Sequence, residues 1–221
     1  MENIVSFLAH LSINNNREWF NENKDLYIQS KNQFDEIIQQ LILEIGEFDH
    51  RILNATPKEC VFRIYRDMRF SKDKRPYKEH LSGFISYPMG WKSIYAGYYI
   101  HIDPTEAYFS AGIWRPSSTI LKKLRYNVID NYNQLQEIRN NKKFVQTFGD
   151  KLYEKDKLKR LPTGFPKEFK DPELIKLKHY MVNHQLGDAM DMSQNEIIDK
   201  FKSLAQTAYP FVQFLNEAVD K

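Results

Sequence analysis

Hydrophobic residues recur at about every third or fourth position in the first 46 residues, at every second position between about 60 and 114, and at every third or fourth again from 117 to the end. A 3.6 period places one face of a helix against a core, and a period of two places one face of a strand there. The chain must therefore carry its strands in one central block, with helices before and after it. That segregation predicts an α+β fold, not alternating βαβ units.

Val5, Leu8 and Leu11 suggest a short first helix, ended by Asn14-Asn15-Asn16. Asn15 with Glu18 three residues later reads as a capping box opening a long second helix, with Phe20, Tyr27, Phe34, Ile37, Ile38, Leu41 and Ile45 inward and Gly46 as its stop. From Cys60 the alternation sets Phe62, Ile64, Met68 and Phe70 on one face of a strand and Arg63, Tyr65, Asp67 and Arg69 on the other, with Arg66 among the apolar residues. A polar loop over Ser71 to Pro76 ends it. Strands are then expected at Leu81 to Tyr87, Ile94 to Asp103 and Ala107 to Trp114, joined by short turns and so forming an antiparallel meander. Ser117 or Ser118 caps a helix through Val128, a helical stretch spans Asn133 to Phe148, and Tyr180 to Val182 is a short extra strand. Ser193 with Glu196 caps the last helix, which Pro210 should kink or interrupt. The expectation is a meander sheet packed against N-terminal and C-terminal helices in a single domain over residues 1–221.

Fifteen Phe and 13 Tyr against 8 Gly concentrate the apolar mass in rings, which suit a sheet face covered by helices. The single Cys60 precludes an intramolecular disulfide. The N-terminus lacks a signal-peptide pattern, and no apolar run approaches the roughly 20 residues of a membrane span, so a cytoplasmic location without membrane contact is expected. The net charge of +3 does not mark a nucleic-acid binder, but seven cations lie between Cys60 and His80 against only Asp67, Asp73 and Glu79.

The string from Phe62 to His80, FRIYRDMRFSKDKRPYKEH, resembles the signature stretch of the domain-of-unknown-function family 2461. Arg17-Glu18-Trp19-Phe20 with Lys24, Gly97 to Ile102, Ala111 to Pro116, Leu158-Lys159-Arg160 and Gly164-Phe165 resemble other parts of the same family, while Arg75 and Leu161 depart mildly from its pattern. The resemblance covers nearly the whole chain and implies one α+β domain. It carries no catalytic assignment.

Three constellations can carry chemistry. Arg63, Arg66, Arg69, Lys74 and Lys78 suit a phosphate- or carboxylate-bearing ligand, because a guanidinium binds such anions through paired hydrogen bonds; pairing with nearby carboxylates is the alternative. Trp114 and Arg115 stand before a helix N-terminus that favours negative charge, and are set against the same cleft; a plain cap and a core Trp are the alternative. His101 and Asp103 share a strand face, with His80, His179 and His184 as companions. Their spacing matches no metal motif, so no metal and no cofactor are assigned. Cys60, where a strand should begin, reads as a small buried hydrophobe. No phosphate loop, dinucleotide fingerprint or serine-hydrolase elbow occurs.

The leading expectation is a domain that binds a small anion in a cleft lined by Arg63, Arg66, Arg69, Lys74, Lys78, His101, Trp114 and Arg115. Whether it is an enzyme stays open, with His101 or Tyr65 as proton-transfer candidates. Single-stranded nucleic acid, stacked on Tyr65, Phe70 and Tyr77 among the basic residues, and a non-catalytic protein-interaction domain are the alternatives. Oligomeric state is not legible.

Overall fold

The computed structural model describes residues 1–69, 71–187 and 192–221. Phe70, expected on an apolar strand face, lies outside the described residues. The elements run α1 (Glu2–Ile13), α2 (Arg17–Glu22), α3 (Lys24–Gly46), α4 (Pro57–Cys60), β1 (Leu81–Ile85), β2 (Gly97–Ile102), β3 (Ala107–Ile113), α5 (Ser118–Asp130), α6 (Tyr132–Asn140), α7 (Lys142–Phe148), α8 (Pro172–Lys176), β4 (Tyr180–Gly187) and α9 (Gln194–Asp220), with short 3₁₀ turns at His50–Asn54 and Gly90–Lys92. The fold is α+β, and the strands form one antiparallel sheet in the order β1-β2-β3-β4, a meander extended by β4. No helix among the described residues is long and apolar enough to cross a membrane.

Period-two alternation decides what each face of this sheet carries. Tyr98, Ile100 and Ile102 of β2 and Phe109, Ala111 and Ile113 of β3 point into one continuous core with α3 and α9. Phe109 meets Phe201 of α9 edge-on with centroids 5.5 Å apart, and Phe148 of α7 at 6.0 Å. Tyr98 donates its hydroxyl to buried Asp49 at 2.9 Å and Tyr180 of β4 donates to the Leu174 carbonyl at 2.8 Å, so these polar tips on this face are satisfied. Gly112, at φ 130°, lets β4 approach so closely that a Cβ there would lie 2.0 Å from the Tyr180 carbonyl oxygen. The residues of opposite parity, Tyr99, His101, Tyr108 and Ser110, contact one another, Asn183 of β4 and the 61–80 segment.

Four local expectations are corrected. The cap at the second helix is Asn16, which accepts from the Trp19 N–H at 2.9 Å, and the helix breaks at Asn23 into α2 and α3. The strand expected from Cys60 to Phe70 is not formed among the described residues: Cys60 ends α4, and isolated bridges, Val61 with Gly83 and Tyr65 with Tyr77, follow. With a charge at about every second position and Pro76 within it, the 61–80 segment lacks the ladder partners a strand needs, and its described residues fold back on one another as an irregular arm. The stretch from 133 to 148 is two helices, because Asn141 caps α7 by accepting from Lys143 and Phe144 N–H groups. Pro210 does not interrupt α9: it sits on the exposed side, where water can take the carbonyl its ring leaves without a partner.

Asn15 is free to do something else. Its side chain brackets the Tyr77 peptide, donating to the carbonyl and accepting from the N–H, each at 3.1 Å, and it donates to Glu79 at 2.9 Å. Tyr77 stacks on Phe20 of α2 at 3.9 Å. Together these contacts tie the arm to the N-terminal helices. Asn15→Ala removes three hydrogen bonds and is expected to lower unfolding free energy by about 1–3 kcal/mol in urea titration; an unchanged midpoint would show that the arm is held elsewhere.

Candidate functional site

The arm crosses one end of the outer sheet face. Its main chain is tied to β1 by Phe62 N–H to Ser82 O at 2.9 Å and folds on itself through Arg66 N–H to Pro76 O at 2.9 Å and Lys78 N–H to Ile64 O at 2.8 Å. Ile64 and Tyr77 are buried, so they anchor the arm while its polar residues face outward.

Three of its seven cations are already paired with carboxylates. Arg66 donates to Asp73 at 2.7 Å and Arg69 to Asp67 at 2.7 Å. Arg75 spans Asp73 at 2.7 Å and Glu79 at 2.6 Å. Hydrogen bonds from Arg69 hold the Asp67 carboxyl down to about 2, and those from Arg75 and then Arg66 hold Asp73 far below the usual carboxylate range. Lys74 reaches the Met68 carbonyl at 3.3 Å. Arg63 is exposed, and neither it nor Lys78 is paired with a carboxylate among the described residues. The Lys78 ammonium lies over the Phe62 ring, 5.3 Å from its centroid, and burial together with the charge of Arg63 lowers its pKa.

Beside Lys78 three rings pile up: His80 lies 4.2 Å from His101, and His101 stacks on Tyr108 at 4.5 Å. His101 is 8% exposed. Its Nδ1 is 3.1 Å from the Tyr99 hydroxyl and its Nε2 is 3.4 Å from Asp103 Oδ2. Burial lowers the His101 pKa, and burial with the neighbouring His101 and Lys78 charges takes His80 down to about 4. Asp103 and Arg66 are the other charged groups facing His80. Both imidazoles are thus neutral near pH 7, able to accept a proton or a ligand.

The sequence candidates therefore divide. Lys78 and His101 each neighbour His80, Arg63 and Arg66 stand at the rim, and Arg69 and Lys74 fold into the arm's outer loop. Trp114 and Arg115 are not part of this group: Trp114 follows the end of β3, six residues or about 20 Å of extended chain from Tyr108. There Trp114 stacks on His179 at 4.0 Å, and Ser117 accepts from the Ile120 N–H as an ordinary cap. His179 has both ring nitrogens engaged, accepting from Arg115 N–H at 3.0 Å and reaching Asp156 at 3.0 Å, so neither is left for catalysis. His184 binds the Thr147 carbonyl at 2.7 Å on the helix-covered face. Tyr99, Tyr108 and Glu106 were not singled out from the sequence. Tyr99 shares the parity of His101, but placing Tyr108 and Glu106 required the hairpin register that pairs His101 with Tyr108.

Two surface grooves lie away from these side chains, one of about 540 Å³ between α6, α7 and α9 and one of about 570 Å³ beside Ile129 to Gln134. Neither brings a histidine or an arginine together with another titratable pair. Cys60 is fully buried and burial pushes its thiol up to about 12. The native protein is therefore expected to resist thiol reagents at neutral pH and to react only as it unfolds; rapid labelling without unfolding would contradict this.

The model of a family described as conserved hypothetical protein (DUF2461) matches residues 3–214 of the chain. No curated protein and no solved structure gives a significant match.

Proposed function

For this chain, which belongs to the conserved hypothetical protein family DUF2461, we propose that it binds a small phosphate- or carboxylate-bearing ligand at the arm end of the open sheet face. The observation that carries this reading is Lys78, half-buried on Phe62 beside Arg63, with no carboxylate supplied to either cation. Two like charges held together, one of them partly desolvated, raise the free energy of the empty site, and an anion between them relieves it. Arg66, Arg69 and Arg75 show the contrast, since each has its own aspartate or glutamate.

A ligand so held would lie against His80 and His101, both neutral and within a ring's width of each other. Proton transfer to or from the ligand is the chemistry these groups would add, with His80 as the base nearer Lys78. The reading does not require it. A binder without turnover uses the same cations.

Thermal denaturation against phosphate, sulfate, citrate and nucleoside monophosphates tests the proposal. A ligand at about 100 times its Kd stabilises by about 2.7 kcal/mol, and each kcal/mol moves Tm by about 2–4 °C in a chain of this size. The shift should disappear in Lys78→Met and Arg63→Ala and persist in Arg69→Ala, whose cation serves Asp67. Equal shifts in all four proteins, or none with any anion, would remove the proposal. Exposed Tyr65 (49%) and Trp91 (46%) flank the same cations, so an oligothymidylate arm is included: a response seen only there, fading as salt rises, would reassign the surface to single-stranded nucleic acid.

A further inference from the structure

The turn between β2 and β3 gathers His101, Asp103 and Glu106 so that one ligand atom from each lies within 4.8 Å of the others. We infer that these three side chains form a binding site for a first-row divalent cation, of the zinc or manganese class. The inference shares His101 with the anion reading but rests on none of the cations that carry that reading, Arg63 and Lys78.

Four observations carry it. First, the separation of His101 Nε2 from Asp103 Oδ2 is 3.4 Å, longer than the usual N–H···O hydrogen bond. Two ligands each about 2.1 Å from a shared ion at a tetrahedral angle lie about 3.4 Å apart. Second, two of the three ligands are oriented from behind. Asp103 Oδ1 accepts from Thr105 N–H at 2.7 Å, Thr105 hydroxyl at 3.0 Å and Glu106 N–H at 2.8 Å, which leaves Oδ2 directed at the imidazole. The Tyr99 hydroxyl engages His101 Nδ1 at 3.1 Å and so fixes the ring with Nε2 toward the carboxylates. Such outer partners are what a metal-ligating histidine and carboxylate require. Third, no Lys or Arg among the described residues forms an ion pair with Asp103 or Glu106, although the chain carries 32 such residues. The Glu106 carboxylate makes no hydrogen bond among the described residues, and its charge is felt by His101 and Tyr108. Fourth, two of the ligands sit on or at the end of a hydrogen-bonded strand, and Asp103 N–H to Glu106 O at 2.9 Å closes the turn between them. One imidazole with two carboxylates suits zinc, manganese or iron(II) better than magnesium or calcium, which prefer an all-oxygen shell. Three protein ligands leave a coordination position open toward the sheet face, beside His80.

Untagged, chelator-treated protein titrated calorimetrically with zinc chloride and with manganese chloride tests the site, with magnesium chloride as the comparison. One ion per chain is expected for zinc or manganese, with magnesium weaker. Glu106→Gln should weaken uptake at least about tenfold without moving the thermal midpoint of the metal-free protein, because that carboxylate holds nothing else. His101→Gln should weaken it likewise. If Glu106→Gln fails to fold, Glu106→Asp, which withdraws the carboxylate by one methylene, carries the same comparison. Absence of saturable uptake in the wild-type chain, or wild-type affinity in the Glu106 variant, overturns the assignment.

Discussion

The packing of α3, α7 and α9 against one face of a four-stranded sheet is the interaction on which the other features depend. Phe109, Tyr98 and Ile100 must lie under those helices to bury enough apolar surface, and the fully buried rings of Phe201, Phe211 and Phe214 answer them from α9. Once these residues are committed inward, strand geometry turns Tyr99, His101, Tyr108 and Ser110 the other way with no further choice. An antiparallel sheet tolerates one face without a helical layer. Here that face is not left to water alone. Its rings stack on one another, and the arm closes over one end.

The arm solves a second problem, that of holding seven cations within 21 residues. Asp67, Asp73 and Glu79 are spaced so that each neutralises an arginine close to it in sequence, and Arg75 joins two of them. Exposed pairs of this kind add little to global stability, but as a network they fix the arm's course and deliver Lys78 and His80 to the sheet. Asn15, Phe20 and Tyr77 supply the attachment. Among the cations this network leaves without a carboxylate, besides Lys72 and Lys74 of the outer loop, are Arg63 and Lys78 beside the stacked rings, where Asp103 and Glu106 lack a Lys or Arg partner among the described residues. The proposed anion and cation sites fall on these two residual charges of opposite sign.

Much of this architecture was legible in the sequence, and for a physical reason. Helix and strand periods differ enough that the central β block, the capping box at Ser193 and the meander could be read directly from the positions of Phe, Ile and Tyr. The stretch from 61 to 69 departs from its expected strand because alternation of Phe62, Ile64 and Met68 imitates one, whereas strand formation depends on ladder partners that local sequence does not display. Pro210 lies within α9 without ending it, on the exposed side where the carbonyl it frees can meet water, and the sequence alone does not show which side that is. At the site, His101 with Asp103 was visible as one strand parity. The neighbours that give them chemistry, Tyr108 and Glu106 across the hairpin and His80 from the arm, come together only through register and chain reversal. Conversely Trp114 and Arg115 belong to a cationic, aromatic pattern in the sequence yet lie at the far end of β3.

The central claim is that the open face of the sheet beneath the arm is where this protein meets its ligand. Two-dimensional amide and histidine NMR spectra recorded during titration with inorganic phosphate test it most directly. The account predicts saturable perturbations centred on Arg63, Lys78, His80, Tyr99 and His101, with the helix-covered residues silent. Perturbations centred instead on Trp114 and Arg115, or on the groove between α6, α7 and α9, would contradict it.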